Sequence, residues 1–142
     1  MIIDTTYLLR LSGIEIRTDL LGAIDANKTR FSFDDLGVSM ISLFEIQAKV
    51  AKLNLPPKLA ADAIEVINSD FRVEPFYDQE IVEVAHSLSK RLGDYIDCIV
   101  IATAAANKEE LVTEDSKIMK NRGHIKETYG ITVTNYKELL SA

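Results

Sequence analysis

Residues 94–115, DYIDCIVIATAAANKEELVTED, decide the fold of this chain. Their first part predicts a helix that is apolar on nearly every face, because Cys98 and a run of alanines occupy the positions that an amphipathic helix leaves polar. A helix of that kind is buried on all sides. After a break at Asn107, residues 111–113 predict a short strand that brings Asp115 just beyond its carboxyl end. Ligands of open α/β sheets bind at that edge.

Two acids of this stretch, Asp97 and Asp115, have two interpretations. A buried carboxylate is unfavourable without a partner, so both could belong to a binding site. Alternatively, Asp94 is the N-cap of the buried helix, Asp97 stabilises the positive end of its dipole, and Asp115 caps the helix that follows. The stretch by itself leaves both interpretations open.

Composition restricts the classes of protein that the chain can be. Its 142 residues, 47% of them apolar, predict one globular domain spanning 1–142. The net charge of −6 argues against sequence-blind adhesion to nucleic acid, although it permits a local basic patch. No apolar run reaches the ~18 residues that a membrane span needs, and the first residues lack a basic leader, so we expect a cytoplasmic protein. Cys98 is the single cysteine, and His86 and His124 match no zinc spacing.

Short apolar strands alternate with helices along the whole chain. We predict strands over 1–3, 36–41, 71–76, 111–113 and 131–134, and helices over 7–11, 14–27, 42–53, 58–70, 78–91, 96–106, 116–122 and 136–142. The proline within 71–76 makes that segment a poor central strand. This alternation predicts an α/β fold with a parallel sheet that is covered by helices on both faces.

Glu45 has a strong explanation that involves no site. Ser42 and Glu45 have the spacing of a capping box at the start of a helix. Glu45 and Lys49 also form a favourable pair one helical turn apart.

Four acids nevertheless share one predicted location. Asp4 and Asp115 follow parallel strands, while Glu45 and Asp97 lie in the first turns of helices, so all four can meet at one edge of the sheet. Carboxylates about 5 Å apart repel one another by roughly 3 kcal/mol per pair at an effective dielectric constant of ~20, so this arrangement requires a cation. Oxygen ligands without His or Cys select Mg²⁺ or Mn²⁺. Such ions serve the hydrolysis of phosphodiesters.

The segments that contain these acids resemble the four acidic motifs of PIN-domain ribonucleases. The segments are MIIDTTYLL (1–9), ISLFEI (41–46), DYIDCIVIATA (94–104) and LVTED (111–115). They occur in the right order over essentially the whole chain, and the chain is most similar to the VapC-type toxins of toxin–antitoxin pairs. The resemblance implies a three-layer α/β/α PIN-like fold that cleaves single-stranded RNA with Mg²⁺ or Mn²⁺. Asp4, Glu45, Asp97 and Asp115 would be both its metal ligands and its catalytic acids.

The resemblance also implies supporting residues. Thr6, Ser42 and Thr113 would supply hydroxyls that orient the acids. Lys117 stands where many relatives carry a further acid. Several cations could contact RNA, or could form an ordinary solvated surface: Arg10, Lys49, Lys52, Lys117, Lys120 and Arg122.

Partners and competing functions follow from the same resemblance. A cognate antitoxin would insert a basic side chain among the acids, and helices 42–53 and 56–69 are candidates for a homodimer interface. The alternatives are a PIN-type nuclease of RNA processing or decay without an antitoxin, and a non-catalytic PIN-like binding domain. A phosphatase that uses Asp4 as a nucleophile is disfavoured, because Thr6 stands where that pattern requires a second Asp.

Overall fold

A parallel sheet of five short strands forms the centre of the structure, a computed structural model that describes residues 1–141. The strands are β1 (Ile2–Ile3), β2 (Gly37–Ser39), β3 (Arg72–Glu74), β4 (Leu111–Val112) and β5 (Val133–Thr134). Their order across the sheet is β3-β2-β1-β4-β5, and every neighbouring pair is parallel. The order therefore reverses between β1 and β4, and the carboxyl ends of strands at such a reversal are where open α/β sheets bind their ligands.

Helices cover both faces of this sheet. They are a 3₁₀ helix (Thr5–Ser12), α1 (Leu20–Asp25), a second 3₁₀ helix (Phe33–Asp35), α2 (Ile41–Lys52), α3 (Pro57–Asp70), α4 (Gln79–Ser89), α5 (Tyr95–Asn107), α6 (Ser116–Lys120), α7 (Arg122–Tyr129) and α8 (Tyr136–Ser141). Ile3 and Val112 point into one apolar core with the first 3₁₀ helix and α1–α3, whereas Ile2 and Leu111 point into the other with α4–α7. Successive strand residues face opposite sides, so the two cores confirm the predicted three-layer α/β/α fold.

Helix α5 is buried as its apolar pattern predicts. Every residue from Cys98 to Ala104 is buried, and the helix packs along α4. Asp94 caps its amino end, because its Oδ1 accepts hydrogen bonds from the backbone N–H groups of Ile96 at 2.9 Å and Asp97 at 3.4 Å. The predicted N-cap at Asp94 is therefore confirmed.

Several predicted bounds are wrong. The helix predicted over 14–27 begins only at Leu20, where Asp19 accepts a 3.0 Å hydrogen bond from the Gly22 N–H group. The predicted helix 116–122 ends at Lys120, and α7 follows it. The predicted helix over 136–142 is present through Ser141, and its last residue lies outside the described residues. Among residues 1–141, no helix is both long and apolar enough to cross a bilayer.

The predicted capping box at the start of α2 is also wrong. The helix begins at Ile41 with Met40 as its N-cap, and the Ile41 N–H donates a 3.4 Å hydrogen bond to Ser39 Oγ, so neither Ser42 nor Glu45 caps the helix. Ser42 is buried inside the first turn. Its hydroxyl and the carboxylate of Glu45 contact Thr5 instead, which leads directly to the candidate site.

Candidate metal and catalytic site

The four predicted acids lie at the carboxyl edge of the sheet. Asp4 directly follows β1, and its backbone N–H donates a 3.0 Å hydrogen bond to the carbonyl of Val112 in β4. Asp115 follows β4 and precedes α6. Asp97 lies in the first turn of α5 as predicted, whereas Glu45 lies one turn after the start of α2, because that helix begins at Ile41. The topology thus brings together residues that the sequence separates widely.

Asp4 is held on both of its carboxylate oxygens. Oδ1 accepts the Thr5 N–H at 2.7 Å, and Oδ2 accepts the Thr113 hydroxyl at 2.6 Å. Burial raises the pKa of Asp4, and the charges of Asp115 and Asp94 raise it further, while the two hydrogen bonds lower it. The predicted hydroxyl of Thr113 is therefore in contact with the first acid.

Thr5 is a contact that the sequence analysis missed. Its Oγ1 lies 2.5 Å from Glu45 Oε1 and 2.9 Å from Ser42 Oγ, within hydrogen-bonding distance of both. The resemblance implied this role for Thr6, which is half-buried and forms no side-chain hydrogen bond with the residues that the structure describes. The Asp-Thr-Thr sequence offers two adjacent hydroxyls, and a change from strand to 3₁₀ helix removes the alternation that would distinguish them.

Asp97 is the acid without hydrogen-bonded support. Its carboxylate is half-buried and accepts no hydrogen bond from any residue in 1–141. Burial raises the pKa of Asp97 to about 7, with further contributions from the negative charges of Asp94, Asp115, Asp4 and Glu45. Burial likewise raises the pKa of Glu45 more than its bond to Thr5 lowers it. The acids therefore destabilise one another's charged forms.

Asp115 caps α6, as one of the two interpretations of the sequence predicts. Its Oδ1 caps α6 by accepting the N–H groups of Lys117 and Ile118, both at 2.9 Å. Its own N–H donates to Thr113 Oγ1 at 3.1 Å, so the same threonine contacts both Asp4 and Asp115. Because the cap uses Oδ1, Oδ2 accepts no hydrogen bond from a described residue.

The donor set fits a divalent cation by its chemistry. Oxygen donors without thiolate or imidazole suit Mg²⁺ or Mn²⁺, and a cation would offset both the burial and the neighbouring negative charges that raise the pKa of Asp97. Across residues 1–141, no group of three or more His, Cys, Asp or Glu side chains is arranged so that it could hold a metal ion. Binding one ion through several of these acids therefore requires their side chains to rotate.

Tyr7 and Glu114 form a further link that no sequence pattern indicated. The buried Tyr7 hydroxyl donates a hydrogen bond to Glu114 Oε2, which also accepts the Tyr136 N–H at 2.9 Å. Burial and the neighbouring carboxylate raise the pKa of Tyr7. The link joins the first 3₁₀ helix and the start of α8 to the segment that carries Asp115.

The predicted RNA-contacting cations differ in their surroundings. Arg10 forms a 2.5 Å ion pair with Asp19, and Arg122 forms one of 2.7 Å with Glu138. The other four predicted cations take part in no ion pair with a described residue: Lys49, Lys52, Lys117 and Lys120. The Lys117 ammonium lies beside Gly93, where an added Cβ would be 3.3 Å from Nζ.

Comparisons with known proteins give one family and several similar folds. The family model of the PIN domain matches residues 1–123. A toxin–antitoxin complex from Klebsiella pneumoniae is similar with a TM-score of 0.60 and 22% identity, covering 82% of this chain and 87% of that one. FitAcB from Neisseria gonorrhoeae has a TM-score of 0.64 and 20% identity, covering 98% and 100%. PAE2754 from Pyrobaculum aerophilum has a TM-score of 0.59 and 20% identity, covering 99% and 85%. No curated protein sequence matches significantly.

Proposed function

Because this chain belongs to the PIN-domain family, we propose that it is a Mg²⁺- or Mn²⁺-dependent endoribonuclease that cleaves single-stranded RNA. The observation that carries the proposal is the environment of Asp97. This carboxylate is desolvated, accepts no hydrogen bond from a described residue and lies in the field of four other carboxylates. A bound cation is the simplest group that would offset that charge.

The proposed ligands are the four acids. Asp97 would offer both oxygens, while Asp115 Oδ2 and Glu45 Oε2 are the oxygens that hydrogen bonds leave open. Each oxygen of Asp4 accepts one hydrogen bond and keeps a second lone pair, through which Asp4 would bind the metal. When bound, Mg²⁺ or Mn²⁺ would supply Lewis-acid chemistry that activates water and offsets the charge of the phosphodiester undergoing hydrolysis.

The protein's own residues would orient the reactants. Thr113 and the Thr5 N–H hold the Asp4 carboxylate in one rotational position. The Thr5 hydroxyl holds Oε1 of Glu45 and leaves Oε2 to accept a proton from the attacking water, so Glu45 would be the general base. In this proposal Ser42 supports Thr5, and Thr6 is a further hydroxyl beside the first acid.

We also propose that the protein is the toxin of a toxin–antitoxin pair. One of the similar structures is described as a toxin–antitoxin complex. A cognate antitoxin that places an Arg or Lys among the acids would neutralise the charge that raises the pKa of Asp97. Homodimerisation through α2 and α3 is part of the same proposal, because an apolar groove that contains Val50, Leu55 and Ile64 runs between those helices. We further propose that the protein acts in the cytoplasm.

The test is cleavage of a mixed-sequence single-stranded RNA by purified protein with Mg²⁺, with Mn²⁺ and with EDTA. Asp97→Asn is expected to lower the rate of RNA cleavage by at least about 100-fold, because the variant loses a metal ligand. Asp94→Asn is the matched control, because Asn caps a helix as well as Asp does. Metal-dependent cleavage that Asp97→Asn retains in full, or no metal-dependent cleavage at all, contradicts the proposal.

A further inference from the structure

A shallow groove adjoins the acids on the side of α2. Its volume is about 230 Å³, and it is lined by Phe44, Glu45, Ala48, Lys49 and Lys52 of α2 and by Ile96 of α5. Phe44, Ala48 and Lys52 follow one another at intervals of one helical turn, with Glu45 and Lys49 alongside. Since Glu45 is one of the four acids, the groove is continuous with the candidate site.

Phe44 is unusually exposed for its residue type. Its side chain is 57% exposed, whereas Ile46 and Val50 of the same helix are buried in the core. The ring therefore contributes little to folding. It presents an aromatic face to solvent one residue before the acid that we propose as general base.

The groove also carries unneutralised positive charge. Lys49 and Lys52 form no ion pair with the residues that the structure describes, although the chain has a net charge of −6. Two free cations beside an exposed aromatic ring form the combination that binds a single-stranded nucleic acid, whose bases stack on the ring while its phosphates contact the cations.

We propose that this groove binds single-stranded RNA, with one base stacked on Phe44 and the neighbouring phosphates contacting Lys49 and Lys52. The inference rests on the proposed nuclease function and specifies how that site would hold its substrate. A second copy of the chain fits the groove less well, because a symmetric contact would bring the unpaired lysines of both copies together. Stacking beside Glu45 places the bound nucleotide next to the bond that is cut.

The first experiment measures binding of a short 2′-O-methyl RNA of mixed sequence in EDTA, so that no cleavage is required. Phe44→Ala is expected to weaken binding by about 5- to 150-fold, the value of one stacked base, and Phe44→Tyr is expected to restore most of it. The control is Phe33→Ala, since Phe33 is also exposed but precedes β2 at the opposite edge of the sheet. An oligonucleotide of the same length with abasic positions separates stacking from charge, because Phe44→Ala should not weaken its binding.

The second experiment uses fluorescence. The chain has no tryptophan, so Phe44→Trp introduces a single reporter, with Phe33→Trp as its control. Emission of the Phe44→Trp protein should be quenched by the oligonucleotide and not by its abasic form, whereas emission of Phe33→Trp should be unchanged by either. Lys49→Gln and Lys52→Gln should each lower the slope of log affinity against log salt by about 0.7.

Three results overturn the inference: no binding by the wild type, unchanged binding by Phe44→Ala, or an equal loss of binding to intact and abasic oligonucleotides. If Phe44→Ala converts a dimer into a monomer and leaves RNA binding unchanged, the groove is an interface between copies. Metal-dependent cleavage by a Phe44→Ala protein that also binds normally would keep the nuclease and remove only this inference. Base-dependent binding by a wild type that never cleaves would keep the groove and contradict the proposed function.

Discussion

The hydroxyl of Thr113 donates a 2.6 Å hydrogen bond to Oδ2 of Asp4 across 109 residues of sequence. The two residues follow β4 and β1, which are paired in the middle of the sheet. Thr113 also accepts the N–H of Asp115 at 3.1 Å. One buried threonine therefore sets the position of two of the four acids relative to each other.

Thr113→Val should impair both stability and cleavage. Valine keeps the shape but leaves the buried Oδ2 of Asp4 without its donor, which should cost about 1–3 kcal/mol of unfolding free energy. Cleavage should fall by about 10- to 100-fold, since Asp4 is no longer held in position. Thr113→Ser keeps the hydroxyl and should restore most activity. Urea denaturation and RNA cleavage measure the two effects, and wild-type cleavage by Thr113→Val would contradict the orienting role.

Thr5 and Thr6 give a direct comparison of two adjacent hydroxyls. Thr5→Val should lower cleavage by about 10- to 100-fold, because it removes the contact with Glu45 Oε1 and leaves Ser42 without its partner. Thr6→Val should change cleavage much less, because the Thr6 side chain forms no hydrogen bond with a described residue. Measured kcat and KM distinguish the two variants. A larger loss in Thr6→Val would restore the role that the sequence analysis assigned to Thr6.

The stability of the metal-free protein should depend on the charge of Asp97. Its pKa is about 7 in the folded protein, against an ordinary value of 3.8, so the folded state binds the proton more tightly than the unfolded state. Protonation of Asp97 therefore favours the folded state. Its contribution to the free energy of unfolding is fully present below about pH 4 and is lost as the pH rises through 7. At pH 8 in EDTA, Asp97→Asn should exceed the wild type by on the order of 1 kcal/mol, a value reduced for solvent screening.

Urea denaturation at pH 8 and pH 4 tests this dependence on Asp97. The advantage of Asp97→Asn should disappear at pH 4, where the wild-type carboxyl is protonated. A variant that is much less stable than the wild type at pH 8 would show that Asp97 stabilises the start of α5, as the alternative interpretation holds. Asp94→Asn keeps the cap but removes a charge that raises the pKa of Asp97, so it should recover part of the same stability at pH 8.

Added metal should stabilise the wild type by mass action on the folded state. At a Mg²⁺ or Mn²⁺ concentration of about 100 Kd, the gain should be about 2.7 kcal/mol, visible as a higher Tm. Asp97→Asn should lose most of that gain, while Asp94→Asn should keep most of it. An equal rise in Tm for the wild type and Asp97→Asn would mean that the metal binds elsewhere.

The features that the sequence predicted correctly are those that nearby residues determine. The all-round apolar pattern of α5 requires burial wherever the helix lies, and Asp94 caps that helix through atoms two and three residues away. The alternation of short apolar strands with helices likewise indicates a parallel sheet. Its carboxyl edge then brings the four acids to one side of the molecule, where burial and, after it, the neighbouring carboxylates raise the pKa of Asp97.

Other features were decided only by the tertiary structure. They depend on contacts between residues far apart in sequence, which are about as strong as the local contacts they replace. Spacing alone predicts a capping box for Ser42 and Glu45, worth about 1 kcal/mol, but the contact with Thr5 competes with it and prevails. Thr5 can reach Glu45 only because β1 and β2 are adjacent in the sheet. The bonds from Thr113 to Asp4 and from Tyr7 to Glu114 arise in the same way, because strand order determines which distant side chains meet.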